Sequence, residues 1–189
     1  MKKNNQLILI FASLVVVSAL YRLIPNRPWG FAPQIAMALF SGSVVKDKRL
    51  SFLLPLASMF LSDALFQVLF NLGITDLQGF YDGQWVNYIL FTGLTVLGWF
   101  VSERNPIQIA IGSLAAPVLF FLASNSATWA AGAGWHRPHT GAGFVMALED
   151  GLPFFKGSLY ATVLFSAVLF GGYALLHGRR RVVSPVATH

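Results

Sequence analysis

The sequence contains no cysteine, which excludes disulfides, thiolate metal ligands and a cysteine nucleophile. Charge is also scarce. Only 11% of the 189 residues are Asp, Glu, Lys or Arg, against about 25% in a typical soluble domain. Motifs for nucleotide chemistry are missing: Lys156-Gly157 has the wrong order and setting for a phosphate-binding loop, so any active transport must draw its energy from a partner ATPase. No H-E-x-x-H zinc motif occurs. His136, His139, His177 and His189 all fall in loops or at the end of an apolar stretch, which leaves an intramembrane serine protease without its base. No catalytic constellation can be assigned, no intrinsic cofactor is implied, and the chain is not expected to be an enzyme.

What is abundant is apolar surface. Hydrophobic residues make up 56% of the chain and the mean hydropathy is +0.64, which indicates an integral membrane protein. Six apolar stretches are expected as helices: Leu7–Ile24, Phe31–Val45, Leu50–Leu72, Trp85–Val101, Pro106–Ala131 and Phe154–Leu176. Spans of ~20 residues each would take up about two thirds of the chain and leave no room for a soluble catalytic domain. The third, fifth and sixth stretches are long enough to cross alone. The second is short and rich in Ala and Gly, and is expected to be buried among the others. The reading is therefore one six-helix transmembrane domain over residues 1–181, followed by a disordered tail over 182–189.

The net charge of +6 would suggest nucleic acid in a soluble protein, but here it sorts by topology. With both termini inside, the inner segments hold Lys2, Lys3, Lys46, Lys48, Arg49, Arg104, Arg179, Arg180 and Arg181, and the outer ones only Arg22, Arg27, Arg137 and Lys156. The basic excess thus reports an N-in, C-in multi-pass membrane protein, with lipid rather than nucleic acid as its surroundings; the resemblance given below implies a bacterial inner membrane. Met1-Lys2-Lys3 before an apolar run could also open a signal peptide; the apolar pattern continues past the weak site at Val17-Ser18-Ala19, which favours an uncleaved first helix.

Polar residues inside apolar stretches mark candidate sites. Asp63 is the only acidic residue well inside a span, and Gln67 and Asn71 follow on the same stripe at i+4 and i+8. Arg22 or Arg27 could pair with it. Gln34, Asn87, Tyr88 and Asn125 lie at similar depth toward the outer side, which suggests a polar cavity for an external solute. Two loops could cover it. Residues Gly73–Gln84 contain Phe80 and Tyr81, which suit either a cavity cover or an interfacial aromatic belt. Gly132–Gly143, with Trp135, His136 and His139, reads as a substrate lid that continues as loop through Phe144–Leu148 and Glu149-Asp150-Gly151. His136 and His139 with Glu149 and Asp150 could instead hold a metal in a membrane enzyme, although Pro138 disfavours a regular helix presenting both rings. A third possibility is a structural or assembly protein without a ligand, in which Asp63 is satisfied by an arginine and no cavity exists.

Several strings carry a family resemblance. They are Arg22-Leu23-Ile24-Pro25-Asn26 through Phe31-Ala32-Pro33 and Ala36–Ser43, the run Lys46–Leu56 followed by Leu61-Ser62-Asp63, and Leu152–Gly157 continuing to Phe170–Tyr173. Together they resemble small six-span bacterial proteins related to energy-coupling-factor (ECF) transporter S-components, the cobalamin-specific BtuM-type members most of all. The resemblance implies a six-helix S-component bundle that captures a vitamin at the outer face and docks on an ECF coupling subunit driven by ATPases, or acts alone. Those cobalamin proteins use a cysteine at cobalt, which this chain lacks. A corrinoid would then need His136 or His139, or no protein ligand, and another vitamin is an equal alternative. S-components dock through small residues on the first helix; here Ala12, Ser13, Ser18 and Ala19 form no clean repeat, whereas Ala32/Ala36 and Ala38/Gly42 on the second helix do.

Overall fold

The computed structural model describes the backbone of residues 2–24 and 26–178, and side chains over 12–24 and 26–176. The expected tail at 182–189 and the basic run Arg179–Arg181 lie outside the described residues. Those described form six α-helices and no strand: α1 (Lys2–Arg22), α2 (Gln34–Val44), α3 (Leu53–Asn71), α4 (Trp85–Gly98), α5 (Pro106–Ala130) and α6 (Gly141–Gly178), with a 3-10 turn over Leu50–Phe52 leading into α3. Three are long and apolar enough to cross a membrane: α3 with its leading turn, α5 and α6. These match the third, fifth and sixth expected stretches.

Local chemistry sets the boundaries. Asn105 caps α5, its side chain accepting from Ile107 N and Gln108 N, with Pro106 preorganised at the first position. At the other end Gly132 turns the chain at φ +64°, and Ala133 N returns to Thr128 O at 3.0 Å. Thr140 Oγ1 accepts from Gly143 N at 3.1 Å and so starts α6 well before Phe154. The expected loop Phe144–Leu148 with Glu149-Asp150-Gly151 is therefore helical. Pro153 sits inside the helix and did not end it, because proline removes one backbone hydrogen bond and a long apolar helix retains the rest. At ~1.5 Å per residue α6 is about 57 Å long.

The short α2 is the axis of the bundle. Its residues from Gln34 to Gly42 are all buried, as expected for the second stretch, and it contacts α3, α4, α5 and α6. Close approach explains its small residues. A Cβ on Gly42 would overlap Thr95 O of α4, and one on Gly98 would overlap Leu39 O of α2. Where lipid replaces water, such backbone proximity and van der Waals packing drive helix association. The Ala38/Gly42 spacing thus holds α2 on α4 inside the bundle and is not free to dock a partner, and Ala36 is fully buried as well. Apolar residues instead cover the outside: Phe60, Ile89, Ile107, Ile111 and Val168 are all exposed. This distribution suits a lipid surround.

Candidate functional site

The polar residues gather at one end of the bundle, formed by the C-terminal ends of α1, α3 and α5 and the N-terminal ends of α2, α4 and α6. Asp63 is 3% exposed there and fully partnered. Its Oδ1 accepts from Arg22 Nη1 at 2.9 Å, and its Oδ2 accepts from Gln84 Nε2 at 2.6 Å and from the Tyr88 hydroxyl at 2.7 Å. Arg22 also donates to Ser62 Oγ, and Gln84 to Gly79 O at 2.9 Å. Arg27 is committed elsewhere, to the backbone of Arg22 and Phe31. The carboxylate therefore ties α1, α3 and α4 together, and each of its oxygens is already engaged.

The rest of the Asp63 stripe holds a loop. Gln67 Oε1 accepts from Phe80 N at 3.1 Å while its Nε2 donates to Asn71 Oδ1 at 2.9 Å. Gly79 lies so close to α3 that a Cβ would overlap Asp63 O. Phe80 packs on Phe60, and the Tyr81 hydroxyl accepts from Asn87 Nδ2 at 2.9 Å. Burial, together with the nearby Asp63 carboxylate, pushes the Tyr81 phenol above its ordinary pKa. Gln34 is different: it is 3% exposed, and neither amide atom has a hydrogen-bond partner.

Two adjoining cavities open beside this network. The first, about 150 Å³, lies under the α5–α6 loop and is walled by Thr128, Trp129, Gly134, Trp135, Arg137 and Asp150 among others. The second, about 190 Å³, runs deeper past Asn87, Pro117, Phe120, Phe121, Ser124 and Ser158. Asn125, Gly151 and Phe154 wall both. The Asn125 carboxamide lies against Gly151, where any Cβ would collide with it, and donates to Phe121 O at 2.7 Å. Trp29 stacks on Phe154 with ring centroids 5.3 Å apart, and Ser158 donates to Gly30 O at 3.1 Å, so the α1–α2 connection braces the same wall.

The covering loop is held by specific bonds. Trp129 Nε1 donates to Pro138 O at 3.0 Å, and a ring nitrogen of His139 lies 2.9 Å from Trp129 O. Arg137 reaches back to α6 and grips Asp150 with two bonds of 2.9 Å each. That grip pushes the guanidinium pKa still higher. A ring nitrogen of His136 is 2.6 Å from Gly132 O. One ring nitrogen of each histidine is thus engaged by a backbone carbonyl, and no group of three or more His, Cys, Asp or Glu suited to a metal occurs among the described residues.

Of the expected binding residues, Asn87, Asn125 and Trp135 come together around the cavities. Asp63, Gln67, Asn71, Tyr88, Phe80 and Tyr81 form the neighbouring network and do not wall them, nor do Gln34, His136 and His139. Gln84 and Arg137 enter the sequence reading only as members of the two loops and Asp150 only as an alternative metal ligand; the bonds of Gln84 to Asp63 and of Arg137 to Asp150 come from the structure. Gln84 carried no signal, since it looks like any polar residue just ahead of an apolar stretch. The opposite charges of Arg137 and Asp150, flanking a glycine-rich segment, could have suggested a pair. A larger concavity lies elsewhere, a broad apolar groove of about 780 Å³ between the start of α5 and the end of α6, with Glu103 and Arg104 at its rim.

No curated protein and no solved structure matches the chain. A family model covering residues 2–186 does match, and the protein belongs to that family, described as a family of unknown function, DUF6580.

Proposed function

We propose that the protein is a multi-pass protein of a bacterial inner membrane that captures a small solute at its outer face, as the S-component of a transporter does. One observation carries the reading: a pair of adjoining cavities at the Asp63 end, covered by a bonded glycine-rich loop, with the Asn125 amide in their shared wall. Ligand sites are concave, mainly apolar and aromatic, with a few convergent polar groups, and this region has that composition. The short α1 to α2 connection, the Gly73–Gln84 loop and the α5–α6 loop all lie at this end, which the distribution of basic residues assigns to the outside in a six-span, N-in and C-in arrangement. A helix of ~57 Å exceeds the ~40–45 Å of a whole bilayer, so α6 has length to spare for anchoring the loop at this end.

The cavities also narrow the solute. Their volumes sum to the lower end of the ~300–1,000 Å³ usual for ligand sites. A corrinoid with its macrocycle and amide arms is far bulkier, so a compact vitamin or precursor fits the described arrangement better than cobalamin. Energy would come from a partner, such as an ECF coupling subunit with its ATPases. The ligand-free structural reading draws support from Asp63, which does pair with Arg22; the cavities speak for the capture reading. The deciding experiment is to purify the protein from its membrane, extract it, and record the absorption spectrum and mass of any released compound. A stoichiometric small molecule that is lost in Asn125→Ala is expected. A visible corrinoid band would reverse the size argument. Protein with no bound compound, and no thermal stabilisation by a panel of vitamins, would refute capture.

A further inference from the structure

The two cavities differ in charge. Only the first is walled by ionised groups, Arg137 and Asp150, and these two neutralise each other through paired bonds of 2.9 Å. Both side chains keep some exposure, 31% and 23%, so neither is sealed off from an incoming group. The second cavity holds no ionised group: the rings of Phe120, Phe121, Phe154 and Phe155 make most of its wall, with Asn87, Ser124, Asn125 and Ser158 as its neutral polar groups. The combined space is therefore a neutral ion pair at one end and an aromatic recess at the other.

We propose that this site binds a compact zwitterion with an aromatic body, its carboxylate seated on the Arg137 fork, its ammonium on Asp150 and its ring in the phenylalanine recess. The assignment rests on the solute-capture reading. The physical reason lies in charge exchange. A monoanion would take Arg137 and strand Asp150, and a monocation would strand Arg137, each leaving a partly desolvated charge without its partner. A zwitterion replaces both halves of the pair at once. Guanidinium meets carboxylate in the same bidentate geometry that it already uses with Asp150. Since ionic bonds are then exchanged one for one, net affinity comes from burying the ring.

The test compares L-phenylalanine, 2-phenylethylamine and 3-phenylpropionate on the full-length protein in detergent, by thermal shift and by tryptophan emission, since Trp129 and Trp135 wall the site. L-Phenylalanine is expected to act at a roughly tenfold lower concentration than either single-charge analogue. Asp150→Asn should shift preference toward 3-phenylpropionate, and Arg137→Gln toward 2-phenylethylamine. Both variants break the same ion pair, so a purely structural pair would weaken all three ligands alike, and that result overturns the proposal. Should the variants not fold, the wild-type ranking still decides: an equal or absent response to the three compounds overturns it. If that happens while a co-purified compound is released on extraction, the zwitterion assignment falls and the capture reading stands. If no compound is released either, both fall.

Discussion

Arg22, the last residue of α1, donates to Asp63 in the middle of α3 at 2.9 Å, and this bond joins two helices whose residues lie 41 positions apart. The side chains are 21% and 4% exposed, so the pair is largely withdrawn from solvent. Gln84 and Tyr88 complete the shell of the carboxylate from the loop before α4 and from α4 itself. The acidic group that stands out most in the sequence is thus first of all a structural hub.

Removing one member of such a pair leaves the other charge buried and unmatched. Asp63→Ala is expected to destabilise the protein by ~3–5 kcal/mol. The double variant Arg22→Met with Asp63→Leu should recover part of that loss, because it removes the unmatched charge while Gln84 and Tyr88 still lose their acceptor. Denaturant titration in detergent measures both, and a double variant as unstable as the single one would contradict the hub.

The α2–α4 contact predicts opposite outcomes for three glycines. Gly42→Ala and Gly98→Ala each place a methyl group into backbone of the facing helix and should cost ~1–3 kcal/mol or more. Gly93 on the same α4 has open space around it, and Gly93→Ala should instead stabilise by ~0.5–1 kcal/mol through helix propensity. Melting temperatures of the three variants check the ordering.

Gln34 is buried with both amide atoms unpartnered. An unsatisfied buried polar group costs ~1–3 kcal/mol. Gln34→Met, of similar shape and without those atoms, is expected to raise stability by that order. Thermal unfolding of the ligand-free protein is the measurement, and a destabilised variant would mean that the amide is satisfied in solution.

Neither loop histidine is expected to hold a metal. His136→Ala and His139→Ala should leave the metal content of purified protein unchanged by elemental analysis, since among the described residues no group of three or more His, Cys, Asp or Glu suited to a metal includes either ring. His139→Ala should loosen the loop, with faster hydrogen exchange around Trp129. Loss of a stoichiometric metal in either variant would revive the metalloenzyme reading.

The helices were largely legible because apolar runs and their punctuation are local. Pro106 opens α5, Gly73 and Gly132 close α3 and α5, and the small residues of α2 signal its burial. The start of α6 was not legible. Gly141, Gly143, Gly151 and Pro153 all read as breakers, and only the Thr140 cap and the packing of Gly143 against Pro138 and of Gly151 against Asn125 make them helical. The candidate site divides the same way. Asn87 and Asn125 could be placed near one another from depth, and Trp135 from its loop, whereas Asp63 shares that depth and turns to other tasks with Gln67.

Composition and spacing by themselves determined that this is an apolar, all-helical chain with its polar groups concentrated toward one end, because burial in lipid and helix capping act on a residue and its near neighbours. Only the tertiary structure decided what those groups do. Whether a carboxylate meets an arginine 41 residues away or a solute depends on which helices touch, and here α1 and α4 reach Asp63 first. The same contacts left Asn125, Arg137 and Asp150 around open space, which no periodicity in the sequence encodes.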